Sequence, residues 1–181
     1  MKKGEAFVVP QLQTSKGSII LAGALSATTN QMTWCYSQSK DTTAMIDLIE
    51  MPFNEHINKT HLYITWDAAS WHDSTFLVEW LDAYNVKTAE LKEGPLITLV
   101  PLPSSSQFLN VIESVFGVMK KAVIHHSDYE NVHQMKSAIS RHFRERNAHF
   151  EDNLRRAGRK LWELDFFRDK GSLTSGNYGE Y

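Results

Sequence analysis

The chain has 181 residues, 42% of them hydrophobic, and a formal charge of -2 at pH 7. That is enough for one domain with a sizeable core, excludes a chain disordered throughout, and gives no global pull toward a polyanion, so nucleic acid must be met by a local patch or through metal ions. A single cysteine, Cys35, makes neither an internal disulfide nor a cysteine-built metal site, which fits a reducing cytoplasm, the expected location.

The opening MKKGEAFVVPQLQTSKGSIILAGALSA offers lysines, an apolar run and small residues, yet the polar PQLQTSKGS parts the charges from the apolar run, whereas an export signal joins them. No stretch reaches the ~18 apolar residues of a membrane span, so no membrane partner is expected. AFVV (6–9), SIILAGAL (18–25) and MTWCY (32–36), punctuated by Gly17 and TTNQ (28–31), predict three successive strands in a meander. DTTAMIDLIEM then sets Met45, Leu48 and Ile49 on one side of a helix capped by Asp41 or Thr42 and closed by Pro52. HLYIT (61–65) is another strand. Beyond it DSTFLVEWLDAY places Phe76, Leu77, Trp80, Leu81 and Tyr84 at helical spacing behind the cap candidates Asp73 and Ser74. LITLV (96–100) is one more buried strand, ended by PLP.

The rest is helical. Leu109, Ile112, Phe116, Met119 and Val123 recur at three and four residues, one stripe facing a core. SDYE (127–130) has the form of a capping box and should open a helix with the stripe Val132, Met135, Ile139 and Phe143. From about Glu151 the chain is polar and basic, and GSLTSGNYGEY suits a flexible end. The division expected is one α/β domain over 1–150 and a basic, partly flexible tail over 151–181. Its sheet is mixed, a meander first and then parallel strands with helical crossovers. In such sheets ligand groups collect at the carboxyl ends of strands, and Asp67 stands at such an end.

Two blocks carry a resemblance. TWDAASWH (65–72) and LPSSSQFLNVIESVFGVMKKA (102–122) resemble the core of the DDE transposases of the Tc/mariner superfamily, especially the bacterial insertion-sequence branch called IS six-thirty. That family shows an aspartate ending a strand and a histidine five positions later, then a proline-serine loop before a leucine-asparagine-proline-isoleucine-glutamate helix start. Asp67, Ala69, Ser70 and His72 match the first block; Leu102, Pro103, Ser106, Leu109, Asn110, Ile112 and Glu113 match the second. The resemblance implies a ribonuclease-H-like fold in which three carboxylates hold two Mg2+ (or Mn2+) ions, cut double-stranded DNA at the ends of an element and then transfer the strand. The residue types suit that chemistry: magnesium is a hard cation that takes oxygen ligands, and two such ions stabilise the entering and leaving oxygens of an in-line displacement. By this likeness Asp67 and Glu113 are the catalytic, metal-holding carboxylates, supported by Asn110, His72 and Ser70.

The departures are also informative. Ala68 stands where the family often has asparagine, and Val111 where it often has proline. Asp67 and Glu113 are 46 positions apart (113 minus 67), longer than usual in the superfamily, which suggests an insertion near NVKTAELKEG (85–94). The family's first aspartate lies on the first strand of its fold, upstream of a lysine-glycine stretch like the one at which this chain begins. The first strand and the helix-turn-helix DNA-binding region are therefore expected to be missing here. Two alternatives stand side by side: a DDE transposase piece whose site is completed by an upstream segment or a full-length transposase, dimeric when active; or an inactive remnant that binds at most DNA or a transposase.

Each chosen residue also has an ordinary structural role available. Aspartate is common as a cap after a strand, asparagine and glutamate three apart cap a helix start, and a loop histidine such as His72 most often makes a structural hydrogen bond. His125 and His126 show no zinc spacing. Lys120, Lys121, Arg155 and Arg156 lie in the basic last third and are candidates for phosphate contact, although a solvated face more often explains such runs.

Overall fold

The computed structural model describes residues 17–66, 75–102, 109–125 and 127–158. The strand expected at 6–9, the caps Asp73 and Ser74, the proline-serine loop over 103–108 and the tail from 159 lie outside the described residues.

Strands β1 (Ile20–Leu25) and β2 (Met32–Ser37) form an antiparallel hairpin whose register sets Ala22 opposite Cys35 and Gly23 opposite Trp34. The turn between them uses Asn30 in the left-handed region, φ 60°, which asparagine tolerates better than most residues. Alternation along the strands then sorts the side chains between two faces. Ala22, Ala24 and Cys35 pack against one core, while Leu21, Leu25, Met32, Trp34 and Tyr36 pack against another. Gly23 admits the second core: a Cβ there would lie 2.9 Å from Phe116 Cζ and closer still to Met32 Cε.

Helix α1 (Thr42–Glu55) follows, with Asp41 as its cap, Oδ1 accepting from Ala44 N at 3.0 Å. Pro52 does not close it. The helix runs on to Glu55, with Pro52 inside, its carbonyl accepting from His56 N at 2.9 Å. Strand β3 (His61–Trp66), helix α2 (Thr75–Leu91) and strand β4 (Leu96–Pro101) make a parallel pair joined by a helical crossover, with Leu62 opposite Ile97 and Trp66 opposite Pro101. Met45, Leu48 and Ile49 of α1, Leu77 and Leu81 of α2, and Ile97 form the first core, against which Leu62, Ile64 and Leu99 also pack. Phe76, read from its spacing as part of this stripe, is 57% exposed, because Leu77 takes the inward position of that turn.

Of the segment expected as an insertion, residues 85–91 continue α2, where Thr88 is buried and Asn85 bonds the backbone of β4, and residues 92–94 make the turn into that strand.

Helix α3 (Ile112–Met119) passes into a π-helical turn over Lys120–Ile124, and helix α4 (Val132–Asp152) returns across it. Val115, Met119, Val123, Ile139 and Phe143 meet Met32 in the second core, with Phe143 lying between the rings of Trp34 and Phe116 at 5.2 and 6.3 Å. The capping box expected at SDYE sits four residues later. Asn131 Oδ1 accepts from Gln134 N at 3.0 Å and Gln134 Oε1 accepts from Glu130 N at 3.0 Å, while Ser127 instead donates to Ile124 O at 2.7 Å. Tyr129, which packs against the second core and donates to Val123 O, ties the intervening turn down and delays the helix start. Ala157, past the end of α4, donates to Ala27 O at 3.0 Å, so the beginning of the tail is anchored on the hairpin turn. Among the described residues no helix is long and apolar enough to cross a membrane.

Candidate active site

Parallel pairing fixes where β3 and β4 end. Their ladder runs to the last residues of both strands, Leu102 N donating to Trp66 O at 2.9 Å, so the two carboxyl ends lie side by side. Asp67 follows Trp66 directly in sequence, and β4 leads through residues 103–108 into the helix that carries Glu113. Asp67, Ser70 and His72 themselves lie outside the described residues.

Glu113 stands exposed in the first turn of α3, where a negative charge is favoured by the helix dipole. The capping pair read from Asn110 and Glu113 is not formed. The helix begins at Ile112 with Val111 in the cap position, no side chain caps it, and Asn110, half-buried, contributes its backbone carbonyl, which accepts from Glu113 N at 3.1 Å. Capping therefore does not engage the Glu113 carboxylate. Its position is held from below by the packing of Ile112, Val115 and Phe116 on the hairpin.

Lys120 and Lys121 lie exposed on the π-helical turn that continues α3, and Arg155 and Arg156 are exposed beyond α4. The irregular turn was not visible in the spacing, since Met119 and Val123 are four apart in either kind of helix and are both buried. Such π segments often mark functional sites. Arg146 is different from the surface cations: it donates to Asn30 O at 2.6 Å and Asn30 Oδ1 at 2.5 Å, and burial pulls its pKa below the usual arginine range. It braces the hairpin turn. Among the described residues no three histidine, cysteine, aspartate or glutamate side chains cluster as a metal site.

The family model described as DDE superfamily endonuclease matches residues 1–136. The chain belongs to that family. No curated protein and no solved structure matches it. The DDE match spans both sequence blocks, since Asp67 and Glu113 fall within it, and the mixed α/β architecture agrees with a nuclease domain of this kind.

Sequence reading missed two residues that shape the DDE domain's sheet edges. Asn147 Oδ1 accepts from Met32 N and its Nδ2 donates to Met32 O, both at 2.8 Å; Asn85 does the same for Ile97, at 2.8 and 2.9 Å. The available signal was periodicity, because Asn147 continues the Ile139 and Phe143 stripe by four residues and thus sets an amide on an inward face.

Proposed function

We propose that this chain is the carboxy-terminal part of a DDE transposase catalytic domain, of the Tc/mariner superfamily and its IS six-thirty branch, with a ribonuclease-H-like fold over residues 1–150 and a basic tail over 151–181. The observation that carries the reading is the pairing of β3 with β4: it sets side by side the strand that precedes Asp67 and the strand that leads to an exposed, uncapped Glu113. Substrate DNA lies along Lys120, Lys121, Arg155 and Arg156, which hold phosphates as point charges or forks and give no sequence preference. Asn110, His72 and Ser70 orient the carboxylates. The working form is a cytoplasmic dimer completed by an upstream transposase segment that brings a third carboxylate.

The donor set fits a hard divalent cation, since Asp67 and Glu113 offer only oxygen ligands. When bound, two Mg2+ or Mn2+ ions supply an activated water and charge stabilisation at phosphorus. The protein's own contribution is to fix carboxylates at the strand exits and to hold the backbone of the DNA.

The test uses full-length protein reconstituted with the upstream segment and DNA carrying the element's ends. Asp67→Asn and Glu113→Gln should each lower end cleavage at least about 100-fold while leaving DNA retention unchanged. Unchanged cleavage in either variant refutes the assigned role. A reconstituted wild type that retains DNA yet never cuts it, across a Mg2+ and Mn2+ series, establishes the inactive remnant instead.

A further inference from the structure

Helix α3 carries a glycine that its own fold does not call for. Gly117 lies inside the helix, where glycine is the poorest choice after proline. The described glycines with positive φ are Gly17, Gly94 and Gly158, so no backbone conformation requires a glycine at 117. Packing does not require one either. A Cβ at Gly23 would press on Phe116 and Met32, whereas a Cβ at Gly117 would meet nothing within 4 Å among the described residues. What Gly117 supplies is bare main chain, a stretch of helix that another molecule can approach more closely than a side chain would allow.

The neighbours of this bare step select its occupant. Ile112, Val115, Phe116 and Met119 hold α3 against the second core. Gly117 comes four residues after Glu113, three before Lys120 and four before Lys121, spacings that put all four on one side of the helix, and the three charged residues are exposed. The helix widens at the lysines, where His125 N donates to Lys120 O at 2.9 Å in the π-helical turn. Two ammonium groups on one flank and a carboxylate suited to a divalent cation on the other fit a polyanion better than a protein surface. Lys120 is 120 minus 113, or seven, residues beyond Glu113, which at about 1.5 Å of rise is about 10 Å. That is the length of about three nucleotides of one DNA strand. We propose that one strand of the DNA crosses α3 at Gly117, its sugar-phosphate backbone touching the helix main chain, with Lys120 and Lys121 on phosphates about three nucleotides from the one presented at Glu113. Gly117 is a positioning residue that sets how closely the strand approaches the helix. This deepens the reading above, in which Glu113 is a catalytic carboxylate, and rests on it.

The test separates stability from DNA affinity in the full chain, with a mixed-sequence duplex of about 30 base pairs at several salt concentrations. Gly117→Ala and Gly117→Gln put better helix formers at an open position, so both should raise the denaturant midpoint. Binding should move the other way. Gly117→Gln, with the longer side chain, should lose at least about tenfold in affinity and Gly117→Ala less. Gly117→Gln should also flatten the salt dependence by about one phosphate contact, as should Lys120→Ala. Unchanged affinity in Gly117→Gln overturns the proposal, as does a chain that binds no duplex, or a midpoint that falls in both variants because the fold itself needs the glycine. A change in sedimentation without a change in DNA affinity assigns the face to a second copy of the chain and overturns it as well. In the reconstituted protein, cleavage that survives Glu113→Gln while Gly117→Gln still weakens binding removes the nuclease role and keeps the contact. Cleavage lost in Glu113→Gln, with Gly117→Gln binding as the wild type does, removes the contact and keeps the nuclease.

Discussion

The hairpin and the parallel pair are built from strands of equal length but are finished to different degrees. β1 and β2 are covered on both faces, by α1 on one side and by α3 and α4 on the other, and Arg146, Asn147 and Ala157 tie their turn and outer edge to the last helix. Among the described residues β3 and β4 are covered on one. Leu62, Ile64, Ile97 and Leu99 face the core, whereas Tyr63 is 66% and Val100 41% exposed on the opposite face. The less covered half is the one whose β3 is followed in sequence by Asp67 and whose β4 leads to Glu113. The cations proposed to meet DNA lie instead on the hairpin's side, Lys120 and Lys121 beyond α3 and Arg155 and Arg156 next to the Ala157 that bonds the hairpin turn.

The largest test of that contrast is in the second core. Phe143 is fully buried between two aromatic rings, so Phe143→Ala should cost about 3–5 kcal/mol in denaturant unfolding. Tyr63→Ala, on the uncovered face, should change stability by no more than about 0.5 kcal/mol. A Tyr63 variant as damaging as the Phe143 one would show that the exposed face is covered after all.

The edge asparagines sharpen the same contrast at a smaller scale. Asn147→Ala and Asn85→Ala each strand one N–H and one C=O at a sheet edge, for about 1–3 kcal/mol apiece. If the hairpin's added cover supports its edge, the two values diverge, with Asn85→Ala also speeding amide exchange at Ile97 while β1 and β2 stay protected. Equal losses with global exchange would mean that the two halves unfold as one unit.

Much of this fold was legible because its strands are short apolar runs with clear turns and its helices carry single stripes. β1, β2, β3 and β4 fall within a residue or two of their expected places, and the crossover order announces the parallel pair. What escaped was decided by tertiary contact. Pro52 sits inside α1, although a helix tends to stop at proline, because Met45, Leu48 and Ile49 bind that helix to the core on the preceding turns. Tyr129 displaced the start of α4, and inward amides at positions 85 and 147 replaced apolar residues where strand edges needed partners. The sequence also pointed to the DDE family that the chain matches, whereas the freedom of the Glu113 carboxylate from capping depended on Val111 taking the cap position, which local preference alone would not choose.

Helix α1 lies against β1, β2 and α2, and so bridges the two halves; its first turn is the place where pH should act on their connection. Asp41 caps that turn, and the hydroxyl of Ser39 followed by the amide of Ala44 holds its carboxyl below the usual carboxylate range. A carboxyl lowered in the folded state stabilises it when ionised, so the contribution is complete above the ordinary carboxylate range and disappears as the pH falls through the lowered value. In an acid titration followed by amide chemical shifts, Ala44 should move with a midpoint below that of an unperturbed aspartate, and Asp41→Asn, which keeps an oxygen acceptor, should abolish the step. Because the group is exposed, the change should stay local to the first turn of α1. A shift that spreads at the same midpoint to β3 as well as β1 would make Asp41 a joint between the halves, and an unmoved Ala44 would remove the cap from the account of α1.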